Sequence, residues 1–437
     1  MARSIGIALL GCGVVGKGVL WLLRHNREAL RAKLGAELHV RHVVVRNPEK
    51  HSAVEAPVMP SADLAKAVAD PAVDMVVELI GGIDPARELI ERALTNGKSV
   101  VTANKAVIAD HGHSLIAAAE RSKQDLYFEA AVAGGVPILR VLRETLCGDR
   151  VLAIRGIVNG TSNYMLSKMH KERIDFAQAL KEAQQAGYAE ADPTLDIGGG
   201  DAAHKLAILA TIAFGAHVSV TDITTEGIER IAAIDMLFAD RFGYVIKHLA
   251  IARLTEHGSL DLRVHPTLVD ADADLASIHG ALNAVHIEAE ALGPSLLSGY
   301  GAGSLPTAVS VLGDMVDVGR NILSHSTGRV PPWGIALNHL ARIPVEPMGE
   351  HRGCYYLRFS ALDHPGVLAR ITGILGQHQV SIEQIVQEGR AREAGSPVPV
   401  VILTHQAKER DVEAALQEID MLDSVAQPAH RLRIMGT

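Results

Sequence analysis

Apolar and polar positions switch between two periods along the chain, and the switches mark the elements. Ser4 to Leu10 (SIGIALL) is a short apolar run that breaks at Gly11. A helical spacing then runs from Val15 through Leu34, with Val19, Leu22, Leu23 and Leu30 apolar, so the opening predicts a strand, a tight turn and a helix. Leu38 to Val45 and Asp74 to Ile80 predict two more strands, with a short helix over Asp63 to Ala69 between them. Asp84 before Pro85 predicts an N-cap with proline at the first helical position, in a helix ending near Asn96 and Gly97. Ser99 to Thr102 and Leu126 to Glu129 predict the next strands. Strands alternating with helices imply an α/β, doubly wound and mostly parallel sheet of the Rossmann type.

The glycine-rich stretch from Ala133 to Pro137 is a natural boundary. Beyond it the pattern predicts a helix near Pro137 to Cys147, a strand over Val151 to Val158, a helix from about Thr161 and another over Phe176 to Ala186. Leu206 to Thr221 reads as a buried helix and its exit, about four residues short of a membrane span and carrying His217. Strands follow around Lys247 to Leu254 and Leu260 to Leu268, so this portion is α+β. A glycine cluster, Gly299 to Gly303, leads into a helix over about Thr307 to Ile322. After the proline joint at Pro331 and Pro332, the last section begins near Gly353. Its order of strand, helix, strand, strand, helix, strand specifies a small ferredoxin-like βαββαβ sheet. At roughly 150 residues per domain, 437 residues suit three. The boundaries expected are 1–134 with about 306–345, then 135–305, then 350–437.

Composition narrows the function. A formal charge of −8 and 3% aromatic residues offer neither a basic surface nor a base-stacking one, so nucleic acid is a poor partner. Cys12, Cys147 and Cys354 are too few and scattered for a disulfide framework or a cysteine zinc site, which fits a reducing cytoplasm. The N-terminus lacks a small-residue cleavage site and runs straight into a motif, so a signal peptide is not expected, and no membrane partner is expected either.

That motif is Gly11-Cys-Gly13-Val-Val-Gly16, a GxGxxG between a strand and a helix. Its first glycine permits the tight turn, the second lets a pyrophosphate approach the backbone, and the third lets helix and strand pack closely. The second strand ends in Val45-Arg46 with no carboxylate until Glu49, so Arg46 is either the seat of an NADP 2′-phosphate or a solvated loop residue. Thr102-Ala-Asn104-Lys105 lies where a strand ends and a helix begins, the edge at which such sheets bind ligands. Lys105 there is a cofactor or substrate contact, or a surface lysine.

Asp201 and Lys205 are one helical turn apart at the opening of an apolar helix. They form either an ordinary i,i+4 ion pair or an acid/base lysine desolvated on a buried helix. The acidic loop before them, with Tyr188, Glu190, Asp192 and Asp196, suits a substrate ammonium.

Taken together, the run from Gly187 through Lys205, Gly160-Thr-Ser-Asn-Tyr164, the TANK tetrapeptide and Gly301-Ala-Gly303 resemble the homoserine dehydrogenase family over nearly the whole chain. The resemblance implies interconversion of L-homoserine and L-aspartate 4-semialdehyde with NADP or NAD, a step toward threonine, methionine and isoleucine. It makes Lys205 the acid/base, Asp201 its orienting partner and Glu190 the ligand of the homoserine ammonium. Tyr188, Asp196, Thr161 and Gly160 fall on pocket positions. Gly11, Gly13, Val14, Val15, Gly16, Arg46, Thr102, Lys105 and Gly303 fall on the cofactor side, with Lys105 near the reacting carbon. A monovalent cation such as Na+ is implied at Glu129, Val132, Gly134 and Val136. Asp363-His-Pro-Gly366 at the first turn of the last section resembles an ACT domain, which implies L-threonine as effector, and the family implies a homodimer or homotetramer.

Two rivals are weighed against this. A thioester-forming aldehyde dehydrogenase needs a reactive cysteine opening a helix beside a histidine, and neither Cys12 nor Cys147 is so placed. A non-catalytic amino-acid sensor leaves the Glu190, Asp201 and Lys205 set without a purpose. A fused N-terminal kinase is not expected, because the chain opens at the dinucleotide fingerprint.

Overall fold

The structure, a computed structural model, describes residues 3–49, 57–388 and 396–436. Its first sheet follows the sequence pattern. β1 (Ser4–Leu10), α1 (Val14–His25), α2 (Arg27–Leu34), β2 (Glu37–Val44), α3 (Leu64–Ala69), β3 (Met75–Glu78), α4 (Ala86–Thr95), β4 (Ser99–Thr102), α5 (Lys105–Ser122) and β5 (Leu126–Tyr127) alternate along the chain. The strands pair in parallel in the order β2-β1-β3-β4-β5. β3 and β4 are buried at every position, as strands covered on both faces must be, which is why they read as unbroken apolar runs. The chain order reverses beside β1, so a crevice opens at the carboxyl ends of β1 and β3.

Two helix boundaries differ from expectation. The helix predicted from Val15 to Leu34 breaks at Asn26, which closes α1 by donating its backbone N–H to the Leu22 carbonyl and opens α2 at Arg27. Apolar spacing is blind to a one-residue break, and asparagine favours cap positions. Pro85, and not Asp84, occupies the cap of α4, with no side-chain cap bond, and the Asp84 carboxylate faces Arg87 at 3.7 Å.

The chain continues through α6 (Ile138–Arg140), β6 (Val151–Ile157), α7 (Gly160–Glu172), α8 (Phe176–Gln185), α9 (Thr194–Ile197) and α10 (Gly200–Phe214). Next come β7 (Thr224–Thr225), α11 (Ala233–Arg241), β8 (Tyr244–Leu254), β9 (Leu260–Asp270), β10 (Leu282–Ala289), β11 (Gly293–Tyr300) and α12 (Ser304–Leu323). The hairpin β10–β11 and helix α11 were not expected. β11, GPSLLSGY, is half-exposed along its whole length and carries little apolar signal.

The residues group into two compact units. The first comprises Met1–Gly160, Asp201–Ile223 and Ala281–Ile343, and the second Thr161–Gly200, Thr224–Gly280 and Pro344–Thr437. In the first, Ala308, Val311, Met315 and Val318 of α12 close one face of the parallel sheet against Ile5, Ile7 and Val19. β6, β10 and β11 form an antiparallel ladder there.

In the second unit β12 (Arg352–Leu362), α13 (Val367–Gln377), β13 (Ile382–Gln387), β14 (Pro397–Thr404), β15 (Ala407–Lys408), α14 (Glu409–Asp420) and β16 (Val425–Ile434) give the ferredoxin-like order β16-β12-β14-β13. Tyr355, Leu357 and Phe359 point to α13 and α14, while Tyr356, Val401 and Leu432 on the opposite face pack with Ile197, Ile228 and Phe238. β16 also pairs in parallel with β9 through Arg433 and Ile434.

Lys247 of β8 is buried in this unit, and its Nζ donates to the Ile278 carbonyl, which also accepts from Asn163 Nδ2 at 3.2 Å. Desolvation pulls its pKa down to about 8. The unfolded chain therefore holds this proton up to pH ~10.4 while the fold releases it near 8, and stability should rise with pH across that window. We expect Lys247→Met to be more stable than wild type at pH 7, with the gap closing by pH ~10.4, in urea midpoints measured against pH.

Candidate active site

Helix α10 is mostly apolar, and at its opening Asp201 and Lys205 share a face. Lys205 Nζ donates to Asp201 Oδ2 at 2.7 Å and to the Val158 carbonyl at 2.6 Å. Lys105 Nζ lies 2.9 Å from Asp201 Oδ1, and Asn159 Nδ2 donates to Oδ2 at 2.8 Å. One carboxylate thus holds two ammonium groups, with side-chain exposures of 4% for Asp201, 11% for Lys205 and 35% for Lys105. Burial opposes ionisation of Asp201, but Lys205 and Lys105 overcome it and hold the carboxyl well below the usual range. An ammonium has three donors, and Lys205 spends two of them on Asp201 and Val158.

The supports of this cluster lie at the ends of strands. Lys105 is the first residue of α5, whose cap Asn104 accepts from Val107 N at 3.3 Å and donates through Nδ2 to the Gly82 carbonyl at 2.6 Å. Thr102 Oγ1 accepts from Asn104 N at 3.0 Å and donates to Glu78 Oε2 at 2.6 Å, while Glu78 Oε1 accepts from Ile80 N at 2.7 Å. Glu78 is fully buried, and desolvation raises its pKa against these bonds. On the other side Asn283 Nδ2 donates to the Val158 carbonyl at 2.9 Å, and a Cβ on Gly301 would fall 2.0 Å from Asn283 Cγ. No motif in the sequence marks Glu78, Asn159 or Asn283. Glu78 had a signal, an acid closing an otherwise apolar strand, whereas the two asparagines look like ordinary turn and strand residues.

The glycine fingerprint sits in the same unit. Gly11 has φ +96°, and a Cβ there would lie 2.5 Å from the Leu79 carbonyl oxygen; one on Gly16 would lie 2.5 Å from the Gly11 oxygen. A Cβ on Gly13 would meet nothing within 4 Å, and no side chain caps α1, so its first amides face an opening suited to a pyrophosphate. Val14 is exposed, Val15 is partly buried, and Ser304 Oγ donates to the Val14 carbonyl at 2.7 Å just after Gly303, which has φ +123°. Arg46 is exposed just beyond β2. These features fit a nicotinamide dinucleotide. Burial pushes the Cys12 thiol up, the opposite of a catalytic thiolate.

Among the cation candidates, the Glu129 carboxylate accepts from Leu139 N at 2.9 Å and Arg140 N at 2.8 Å, and the Gly134 carbonyl accepts from Ser310 Oγ at 2.6 Å. Val132 and Val136 are buried on the same loop. A buried carboxylate and loop carbonyls are oxygen donors, the set a hard cation takes.

In the second unit Thr161, Tyr188 and Asp196 come together. Thr161 Oγ1 is 2.6 Å from the Tyr188 carbonyl and 3.3 Å from Asp196 Oδ2, and the Tyr188 ring packs tilted against Tyr164 at 4.4 Å between centroids. Glu190 is exposed two residues on, its backbone carbonyl accepting from Gln184 Nε2 at 3.1 Å. Gly160 belongs to the first unit, where a Cβ would lie 3.0 Å from the Ala281 oxygen.

Comparison with known proteins identifies the family. Family models match residues 137–316 as "Homoserine dehydrogenase", 11–129 as "Homoserine dehydrogenase, NAD binding domain" and 355–420 as "ACT domain". The chain is 42% identical over 432 residues to a homoserine dehydrogenase of Pseudomonas aeruginosa, covering 99% of both, and 41% identical over 441 residues to one of Mycobacterium tuberculosis, covering 100% and 98%. A homoserine dehydrogenase crystal structure from Thiobacillus denitrificans superposes with a TM-score of 0.93 at 45% identity, covering 99% of this chain and 98% of that one. A hyperthermophilic archaeal homoserine dehydrogenase in complex with NADPH matches 72% of this chain and 98% of its own at 27% identity and a TM-score of 0.62.

Proposed function

The chain belongs to the homoserine dehydrogenase family, an oxidoreductase with a nicotinamide dinucleotide-binding domain and an ACT domain, and on that premise we propose how its residues act and what regulates them. The substrates are L-homoserine and L-aspartate 4-semialdehyde, in the biosynthesis of threonine, methionine and isoleucine. The observation that carries this reading is the single buried carboxylate of Asp201 shared by Lys205 and Lys105. When bound, the dinucleotide supplies hydride exchange at the carbinol carbon. In oxidation Lys205 acts as the neutral amine, whose lone pair takes the hydroxyl proton at the position not directed to Asp201 and Val158; in reduction the resulting ammonium returns that proton to the oxygen. Asp201 fixes the ammonium's direction. Lys105 adds a second positive charge where alkoxide character develops.

Glu190 pairs with the homoserine ammonium; Tyr188, Thr161 and Asp196 are substrate-lining positions of the second unit, and Gly160 is one of the first. Gly11, Gly13, Val14, Val15, Gly16, Thr102 and Gly303 hold the dinucleotide. Arg46 at the end of β2 favours NADP, since no carboxylate stands there to repel a 2′-phosphate. A monovalent cation is held by oxygens of Glu129, Val132, Gly134 and Val136, and the protein works as a homodimer or homotetramer.

Gly366 has φ +89° at the Asp363-to-Gly366 turn, beside a concavity lined by His364, Leu368, Gln387 and Val398, and this is where L-threonine would bind. The test is homoserine-dependent reduction of NADP+ and of NAD+, with and without threonine. Turnover with a preference for NADP+, inhibition by millimolar threonine and a raised Tm in its presence are expected. A protein that binds NADPH and threonine without turning over homoserine is a sensor, and the catalytic assignment fails.

A further inference from the structure

The substrate-lining turn and the terminal strand of the ACT domain are joined by a charged strut that no sequence motif announces. Arg433 of β16 is buried and bridges two carboxylates. Its Nη1 donates to Glu226 Oε2 at 3.0 Å and its Nη2 to Glu226 Oε1 at 2.7 Å, while its Nε donates to Glu409 Oε2 at 3.0 Å and Nη2 to Glu409 Oε1 at 2.5 Å. Arg431, two residues earlier on the same face of β16, adds Nη2 to Glu226 Oε1 at 3.2 Å and an ion pair to Glu409 at 2.7 Å. A guanidinium bidentate on two carboxylates is a fixed link, because the fork sets direction as well as distance.

Glu226 stands at the start of a loop whose backbone cradles the turn after Asp196. His248 Nε2 is 3.0 Å from the Glu226 carbonyl, Glu226 N donates to Val264 O at 2.8 Å, and Ile228 N donates to Ile197 O at 2.9 Å. The fit leaves no slack. A Cβ on Gly227 would lie 2.6 Å from the Ile197 oxygen, and one on Gly199 would lie 2.8 Å from Thr225 Cγ2 and 3.2 Å from His248 Cε1. Ile197 and Ile228 share a core with Tyr356, Val401 and Leu432 of the ACT sheet. Asp196 is one residue from Ile197, and its carboxylate meets Thr161.

We propose that Glu226 is a positioning residue: held by Arg433, it sets the 225–229 loop and through it the Asp196 turn, so that β16 of the ACT domain and that turn move as one body. The inference rests on the reading of Asp196 as a substrate-lining residue. It explains why the strand that ends the ferredoxin-like sheet carries one buried arginine, Arg433, and one partly buried arginine, Arg431, where apolar residues would avoid the desolvation cost. The coupling runs through contiguous packed and hydrogen-bonded groups, and both ends bias one element.

The test compares Glu226→Gln with Glu350→Gln, which removes an ion pair of the same unit to Lys408 and Arg410 and does not touch the 225–229 loop. Glu226→Gln should raise KM for homoserine by about 5- to 10-fold while kcat and KM for NADP+ stay within about threefold, and should blunt inhibition by threonine. Arg433→Lys, which keeps the charge and loses the fork, should reproduce that split, so the idea does not hang on one variant folding. Unchanged KM and intact inhibition in both strut variants overturn the proposal, as does an equal effect in Glu350→Gln, which would mean stability alone. If wild type turns over no homoserine, the functional reading fails first. If wild type ignores threonine, the KM split by itself decides the positioning role.

Discussion

Replacing Lys205 with alanine should leave dinucleotide affinity within about twofold of wild type and lower kcat for homoserine oxidation by at least about 100-fold. The expectation follows from geometry. Asp201 holds Lys205 from within the same helix, one turn away, and a second bond to the Val158 carbonyl fixes the ammonium in place. Removing a proton-transfer group loses a factor of about 10² to 10⁴, whereas the glycine loop from Gly11 to Gly16 is untouched. Single-turnover kinetics with NADP+, together with the Kd for NADPH from fluorescence, separate the two quantities. A variant that keeps its rate transfers the proton role to Lys105, whose ammonium sits on the other oxygen of the same carboxylate.

Asp201→Asn should cost stability as well as rate. The change leaves two ammonium groups without a countercharge, and breaking a buried pair from one side costs about 3 to 5 kcal/mol. Lys105 is about a third exposed, so solvent screens part of its share and the lower end is expected. The pH dependence has a definite sign. The wild-type carboxyl is held well below the usual range despite its burial, so its contribution is present above pH ~4, the unfolded value, and is lost as the solution becomes more acid. Urea midpoints for wild type and Asp201→Asn should therefore lie far apart at pH 7 and converge below pH 4. The same variant should turn over homoserine at least about 10-fold more slowly at pH 7, because Lys205 loses its orienting partner. Equal midpoints at pH 7 would show that the lysines find other partners, and the shared-carboxylate account of the site would be wrong.

The parallel sheet was legible because its strands are covered on both faces, which demands apolar runs, and because glycine alone tolerates φ +96° beside a neighbouring carbonyl at position 11. The ferredoxin-like section was legible for a related reason: its strands alternate faces and its helices carry an apolar stripe. The hairpin of β10 and β11 was not, since a half-exposed strand of glycine, serine and leucine has no period to detect. The one-residue break at Asn26 escaped because both halves keep the same apolar register.

Helix α10 shows the division most clearly. A spacing of four residues places Asp201 and Lys205 on one face of any helix, so that pair follows from the chain alone. Whether it is an exposed ion pair or a buried one depends on what covers it, and Lys105, Asn159 and the Val158 carbonyl come from positions between 42 and 100 residues away. Glu78 and Glu226 follow the same rule. A carboxylate's role is set by the donors that surround it, Thr102 and the Ile80 amide in one case and Arg433 in the other. Periodicity and turn chemistry act over a few residues and can be read in one dimension; desolvation and charge pairing act through space, and only the folded chain brings their partners within hydrogen-bond reach.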